Sequence, residues 1–141
     1  MLFTGPDVQG WASGWGVLDP NNKAVQATKL QRVDVLTMPQ SECENLYNRD
    51  GSVTDSMLCA QSNSGGDACY GDSGGPFVNN DDEIIGVVSW GKSCAKRQWP
   101  GVYARISTAL KWIYSNTQDS TFCQKLDRRP RRRNSKLMKG F

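Results

Sequence analysis

Gly65-Gly66-Asp67-Ala68-Cys69-Tyr70-Gly71-Asp72-Ser73-Gly74-Gly75-Pro76 is the stretch around which the rest of the 141-residue chain is organised. Glycine pairs bracket one serine, with an acid directly before it and a cysteine four residues upstream. Gly71, Gly74 and Gly75 permit backbone turns that a side chain would oppose. The spacing therefore predicts a bent loop that presents the Ser73 hydroxyl and neighbouring N–H groups toward one point. Acyl transfer asks for that combination: a nucleophilic oxygen, and backbone donors aimed where an oxyanion develops. The same residue types crowd ordinary turns for conformational reasons, so the bare Gly-Asp-Ser-Gly core fits both readings.

Downstream, Phe77-Val78 and Ile84 to Trp90 read as two strands joined by Asn79-Asn80-Asp81-Asp82, a hairpin loop by composition. Val102, Ala104 and Ile106 alternate with Tyr103 and Arg105, the pattern of a half-buried strand. Ala109, Trp112, Ile113 and Asn116 then follow helical spacing, with Ser107 or Thr108 as N-cap. Upstream, Trp11 to Leu18 is a glycine-punctuated strand ending at the turn Asp19-Pro20-Asn21-Asn22. Ala27 to Met38 reads as a strand in which Val33 and Val35 alternate with Asp34. Ser41 to Glu44 has capping-box spacing for a short helix reaching Tyr47, and Met57 to Ala60 starts another strand. Short strands, frequent turns and one closing helix indicate an all-β fold, a small antiparallel barrel.

Length bounds the chain to one domain and a tail, and its apolar content of 38% suits one modest core. No apolar run is long enough to span a bilayer, and Met1 to Pro6 has neither the basic segment nor the apolar stretch of a signal peptide. The net charge of +3 misleads: residues 125–141 hold eight Lys or Arg against Asp127 alone, +7 in total, which leaves −4 for residues 1–124. That tail has no apolar periodicity and is expected to stay disordered and solvated. Patches of this kind also bind nucleic acid or anionic membranes, but a basic run alone is a weak motif.

The full loop resembles the nucleophile loop of the trypsin/chymotrypsin family of serine proteases. Ser13-Gly14-Trp15-Gly16, Ser89-Trp90-Gly91 and Pro100-Gly101-Val102-Tyr103 follow in that family's order, and the resemblance spans residues 10 to 117. It implies a six-stranded antiparallel Greek-key β-barrel, the second of the family's two, with one C-terminal helix. The expected organisation is a linker remnant over 1–10, the barrel over 11–123 and the basic tail over 124–141. By resemblance Ser73 is the nucleophile, and the N–H groups of Gly71 and Ser73 form the oxyanion hole. Asp67, Gly91 and Gly101 make a pocket for Arg or Lys, and Ser89 and Gly91 pair with the substrate backbone. Tyr70 and Ser93 depart from the usual pattern at the pocket lip and narrow its entrance. Asp72 supports the oxyanion loop, which in the family requires an N-terminal ammonium. No such cation is visible here, so Asp72 is expected to be exposed or misplaced and its loop mobile.

The five cysteines imply, by the same resemblance, bridges Cys43–Cys59 and Cys69–Cys94, with Cys123 left over. A third family bridge would join the positions of Gly10 and Asn79 and is absent as a unit. No cofactor or metal is expected, since a zinc site is poorly served by a chain without histidine or a Cys-x-x-Cys pair. The absence of histidine also decides the chemistry. The family's general base is missing, and so is the aspartate that orients it, which belongs to the first barrel. Lys92 and Lys96 lie in a polar loop with no sign of the desolvation that a Ser–Lys arrangement needs. The expectation is the C-terminal part of a trypsin-like serine endopeptidase cleaving after Arg or Lys, inactive as this chain alone. The alternatives are an inactive protease homologue acting as a protein-binding or inhibitory module, or an expressed fragment with no function. Expected partners are a protein or peptide substrate with Arg or Lys and the absent N-terminal barrel. Nucleic acid is not expected for the folded body. Structural cysteines point to a secreted parent protein.

Overall fold

The computed structural model of the chain describes residues 5–47, 52–96 and 98–117. Cys123 and the basic segment 124–141 lie outside them. The chain divides into two compact units, 1–110 and 111–141, and of the second the described residues are the last turns of a helix.

Six strands build the first unit: β1 (Gln9–Gly14), β2 (Gln31–Thr37), β3 (Met57–Gln61), β4 (Pro76–Asn79), β5 (Ile84–Trp90) and β6 (Gly101–Arg105). They close an antiparallel barrel in the order β1-β2-β3-β6-β5-β4. Helix α1 (Gln40–Leu46) lies between β2 and β3 in sequence, and α2 (Ile106–Thr117) follows β6. Because β3 pairs with β6 and β4 closes on β1, the connection from β3 to β4 is a crossover rather than a hairpin. Residues 62–75, which contain the serine loop, are that crossover.

Ala12, Val35, Leu58, Ala60, Phe77, Ile85 and Tyr103 fill the interior. Val35 points in while Asp34 is exposed, as the alternation in β2 predicts. Alternation fails in β6: Val102 and Tyr103 are both buried and Ala104 is exposed. The cause is a second apolar cluster, in which Val102 and Cys59 pack with Cys43, Tyr47 and Val53, the first two from the α1 segment. With both faces covered, period-2 reading loses its signal. The Cys43–Cys59 bridge closes a span of 16 residues and ties α1 to β3, contributing about 3 kcal/mol by loop entropy. Arg105 adds polar fastening: its guanidinium donates to Asp55 O, Met57 O and Gln40 Oε1 at 2.6–3.0 Å. Burial lowers its pKa from the ordinary guanidinium value.

Three local expectations need correction. The first strand runs Gln9–Gly14 rather than from Trp11 to Leu18, because the chain bends at Ser13–Gly16 to meet the serine loop. Helix α1 begins at Gln40 behind Pro39, so Ser41 is inside it and caps nothing. Thr108 likewise lies inside α2, its hydroxyl donating to Arg105 O. Gly10 and Asn79 do face each other across β1 and β4. There the Asn79 carboxamide accepts from the N–H groups of Asp81 and Glu83 and organises the 79–83 turn.

One irregularity bears on the site. In the β5–β6 ladder Val88 faces Tyr103 and Trp90 faces Val102, so the register passes over Ser89.

Candidate active site

The crossover 62–75 and the β5–β6 connection 91–100 meet at one end of the barrel, and the Cys69–Cys94 bridge joins them. Within the crossover, Asp72 N donates to Cys69 O and Gly75 N to Asp72 O, while Gly71 and Gly74 take φ of +95° and +84°. Those left-handed turns are strained for residues with a Cβ. Gly74 N to Val88 O and Val88 N to Gly75 O, both 2.9 Å, anchor the loop to β5 and leave Ser73 exposed.

Asp72 does not match the expectation of an exposed or misplaced carboxylate: it is half-buried and held by two backbone donors. Its Oδ1 accepts from Gly16 N at 2.8 Å and its Oδ2 from Cys69 N at 2.9 Å. Two backbone donors satisfy a carboxylate much as a cation would. The seat is tight, since a Cβ at Gly14 or Gly16 would overlap the Asp72 carboxylate. Gly16→Ala is expected to expel it and to cost about 1–3 kcal/mol, as overpacking does. An unchanged urea midpoint would show the seat to be looser than described.

A cavity of about 250 Å³ opens beside Ser73; Asp67, Tyr70, Ser89, Gly91 and Gly101 are among the residues that line it. Of the residues singled out from sequence, Gly71 and Asp72 are not in its lining. Asp72 instead lines a neighbouring groove of about 520 Å³ with Gly14 and Gly16, and Asp67 lines both. Asp67 Oδ2 accepts from Ala95 N at 2.9 Å. Its Oδ1 is buried and has no hydrogen-bond partner among the described residues, as is the hydroxyl of Tyr103, which also lines the cavity. Burial, offset in part by the N–H groups of Ala95 and Ala68, raises the Asp67 carboxyl from 3.8 to about 6. Burial also pushes the Tyr103 phenol well above its usual range, with the Asp67 and Asp72 charges adding. A Cβ built on Gly101 would stand 3.2 Å from Asp67 Oδ1, so the missing side chain keeps the floor open.

Tyr47 was not singled out in the sequence, and Tyr103 only as part of the segment Pro100–Tyr103 that resembles the one closing the family's pocket. Tyr103 brings its hydroxyl to the floor, and nothing in the alternation of β6 marks it. Tyr47 donates its hydroxyl to Pro100 O at 2.6 Å and stacks edge-on against Trp90, bracing the wall behind Gly91. The Lys92 ammonium lies 4.1 Å from the Trp99 ring centroid on the exposed surface, in no position to be a desolvated base. The Ser73 hydroxyl and the Asp67 carboxylate share this cavity, and the sequence has no imidazole anywhere.

A family model described as Trypsin matches residues 3–113. Trypsin 5G1 of Aedes aegypti is 44% identical over 102 residues, which cover 72% of this chain and 37% of that protein. Among solved structures, neuropsin, a serine protease expressed in the limbic system of mouse brain, superposes with a TM-score of 0.76 at 35% identity. The match covers 84% of this chain and 51% of the neuropsin chain.

Proposed function

Because the chain belongs to the trypsin family, we propose that it is the C-terminal, second-barrel part of a trypsin-like serine endopeptidase that cleaves after Arg or Lys. The observation that carries this reading is the buried, unpartnered Asp67 oxygen at the floor of the cavity that Ser73 overlooks. A guanidinium or ammonium entering there gains charge-assisted hydrogen bonds to a carboxylate that is already partly desolvated. Gly91 and Gly101 leave it room. The backbone of Ser89 and Gly91 pairs with an extended peptide by strand addition.

In the reaction, Ser73 Oγ bonds to the substrate carbonyl carbon while the N–H groups of Gly71 and Ser73 hold the oxyanion. The C–N bond then breaks, the hydroxyl proton passes through a base to the leaving amine, and water releases the acyl group. Asp72 keeps the loop in shape from behind. The chain has no histidine to be that base, so the proton acceptor and the residue orienting it come from an N-terminal barrel. The bridges Cys43–Cys59 and Cys69–Cys94 suit an oxidising, secretory compartment. No helix among the described residues is long and apolar enough to cross a membrane.

The missing imidazole also favours a second reading, a protease homologue that binds without turnover. p-Aminobenzamidine fluorescence and an Arg-containing chromogenic peptide separate these ideas. The purified chain is expected to bind the amidine and to hydrolyse nothing. Hydrolysis abolished by Ser73→Ala would overturn the claim that the chain lacks a base, and absence of amidine binding would overturn the pocket. If adding a separately expressed N-terminal barrel restores turnover, the endopeptidase reading stands and the binding-only reading falls.

A further inference from the structure

We infer that the rim of the Asp67 cavity selects peptides in which the basic residue is flanked by acidic ones, through Lys23 on one lip and Lys92 on the other. The inference rests on reading the cavity as an Arg/Lys pocket, and it names what surrounds that residue in the ligand.

On the serine-loop side, Tyr70 lines the cavity and is 51% exposed. The Lys23 ammonium lies 4.0 Å above its ring centroid. Lys23 is held there by its backbone. Asn21 N donates to Asp19 Oδ1, Ala24 N to Asn22 Oδ1 and Leu18 N to Val25 O, which folds residues 18–25 into a hairpin. Val17 N to Tyr70 O, at 2.8 Å, joins that hairpin to the residue whose ring it covers. On the opposite side, Lys92 stands between Gly91 and Ser93, both in the lining. Its ammonium is 4.1 Å from the Trp99 centroid and 5.3 Å from that of Tyr47.

Aromatic faces attract an ammonium without neutralising it. Neither lysine is paired with a carboxylate among the described residues, unlike Arg32, which pairs with Asp34. Neither is itself in the lining, but Lys23 rests on the ring of a lining residue and Lys92 lies between two lining residues in sequence. Two restrained cations thus stand just outside a cavity that holds a carboxylate, in a body that is acidic overall. A peptide whose basic residue enters the cavity meets attraction at the rim if its neighbours are acidic and repulsion if they are basic. Specificity of this kind comes as much from rejecting the wrong ligand as from holding the right one. In an extended peptide alternate side chains share a face, so residues two places either side of the basic one are those that reach the lips.

Calorimetric titration of the whole chain with three acetylated, amidated pentapeptides tests this: Glu-Gly-Arg-Gly-Glu, Gln-Gly-Arg-Gly-Gln and Lys-Gly-Arg-Gly-Lys. The Glu peptide is expected to bind about fivefold tighter than the Gln peptide, from two exposed ion pairs of ordinary strength. The Lys peptide should be weakest, and the spread should shrink in 0.5 M NaCl. The ratio of Glu to Gln peptide affinity, taken within each variant, should fall to one in the Lys23→Ala, Lys92→Ala double variant. In Lys23→Glu it should fall by more than in Lys23→Ala. Equal affinities for three peptides that all displace p-aminobenzamidine would overturn the rim while leaving the pocket, as would a preference that survives the double variant. If p-aminobenzamidine itself fails to bind, the pocket reading and this one fall together.

Discussion

Asp67→Asn is expected to weaken p-aminobenzamidine binding about a hundredfold, in the range found when one partner of a buried, hydrogen-bonded charge pair is removed. The same change should not destabilise the unliganded protein. Asp67 Oδ1 is buried with no partner, so the native carboxylate bears a larger desolvation cost than a neutral carboxamide would, while an amide oxygen still accepts from Ala95 N. A loss of binding caused by misfolding would lower the urea midpoint, whereas loss of the charge leaves it unchanged or higher.

pH separates the two further. Burial raises the Asp67 carboxyl in the folded protein from 3.8 to about 6. The folded state therefore holds the proton more tightly than the unfolded chain. The stabilisation from that proton is fully present below about 4 and is lost as pH rises through about 6. Wild-type stability minus that of Asp67→Asn should accordingly fall between those values and level off above them. Amidine affinity is expected to run the other way, rising as the carboxyl ionises. A difference curve that is flat from pH 4 to 7 would contradict the burial of this group.

Phe77→Ala carries the largest expected effect on folding, a loss of about 3–5 kcal/mol. Phe77 has no exposed surface and sits at the centre of the barrel interior. Its ring lies 5.1 Å from that of Tyr103, and it borders the spaces beside Gly10 and Gly86, where no side chain can move in to refill the void. A domain of ordinary stability has only about 5–15 kcal/mol in hand, so the variant should be partly unfolded at 37 °C. The tryptophans report this through a lower urea midpoint. Tyr103 also lines the Asp67 cavity, so the folded fraction should bind amidine less tightly. A shift below about 1 kcal/mol would mean that the barrel closes over the deletion.

What the sequence made legible follows from what is local. The strands showed themselves where one face is solvated, as in β2, where Val35 is buried and Asp34 exposed. The serine loop was readable because glycines at positive φ leave a residue signature, here Gly71 and Gly74. The residue types of β6 could not reveal that α1 covers its outer face, since that depends on a chain segment more than fifty positions away. The partners of Asp72 were hidden for the same reason: they are backbone N–H groups, one of them supplied by Gly16 through a close approach. A capping box at Ser41 was outweighed by Pro39, whose fixed φ sets the helix start earlier. The resemblance puts Tyr103 in the segment that closes the pocket, but no residue pattern shows that its hydroxyl is buried at the cavity without a partner.

A barrel closed on itself has no free margin along which another chain can zip up. The one-residue slip at Ser89 interrupts that closure at the mouth of the cavity. In heavy water the Ser89 amide should take up deuterium well ahead of Val88, and a docked peptide should slow it by filling the gap without prying any strand away.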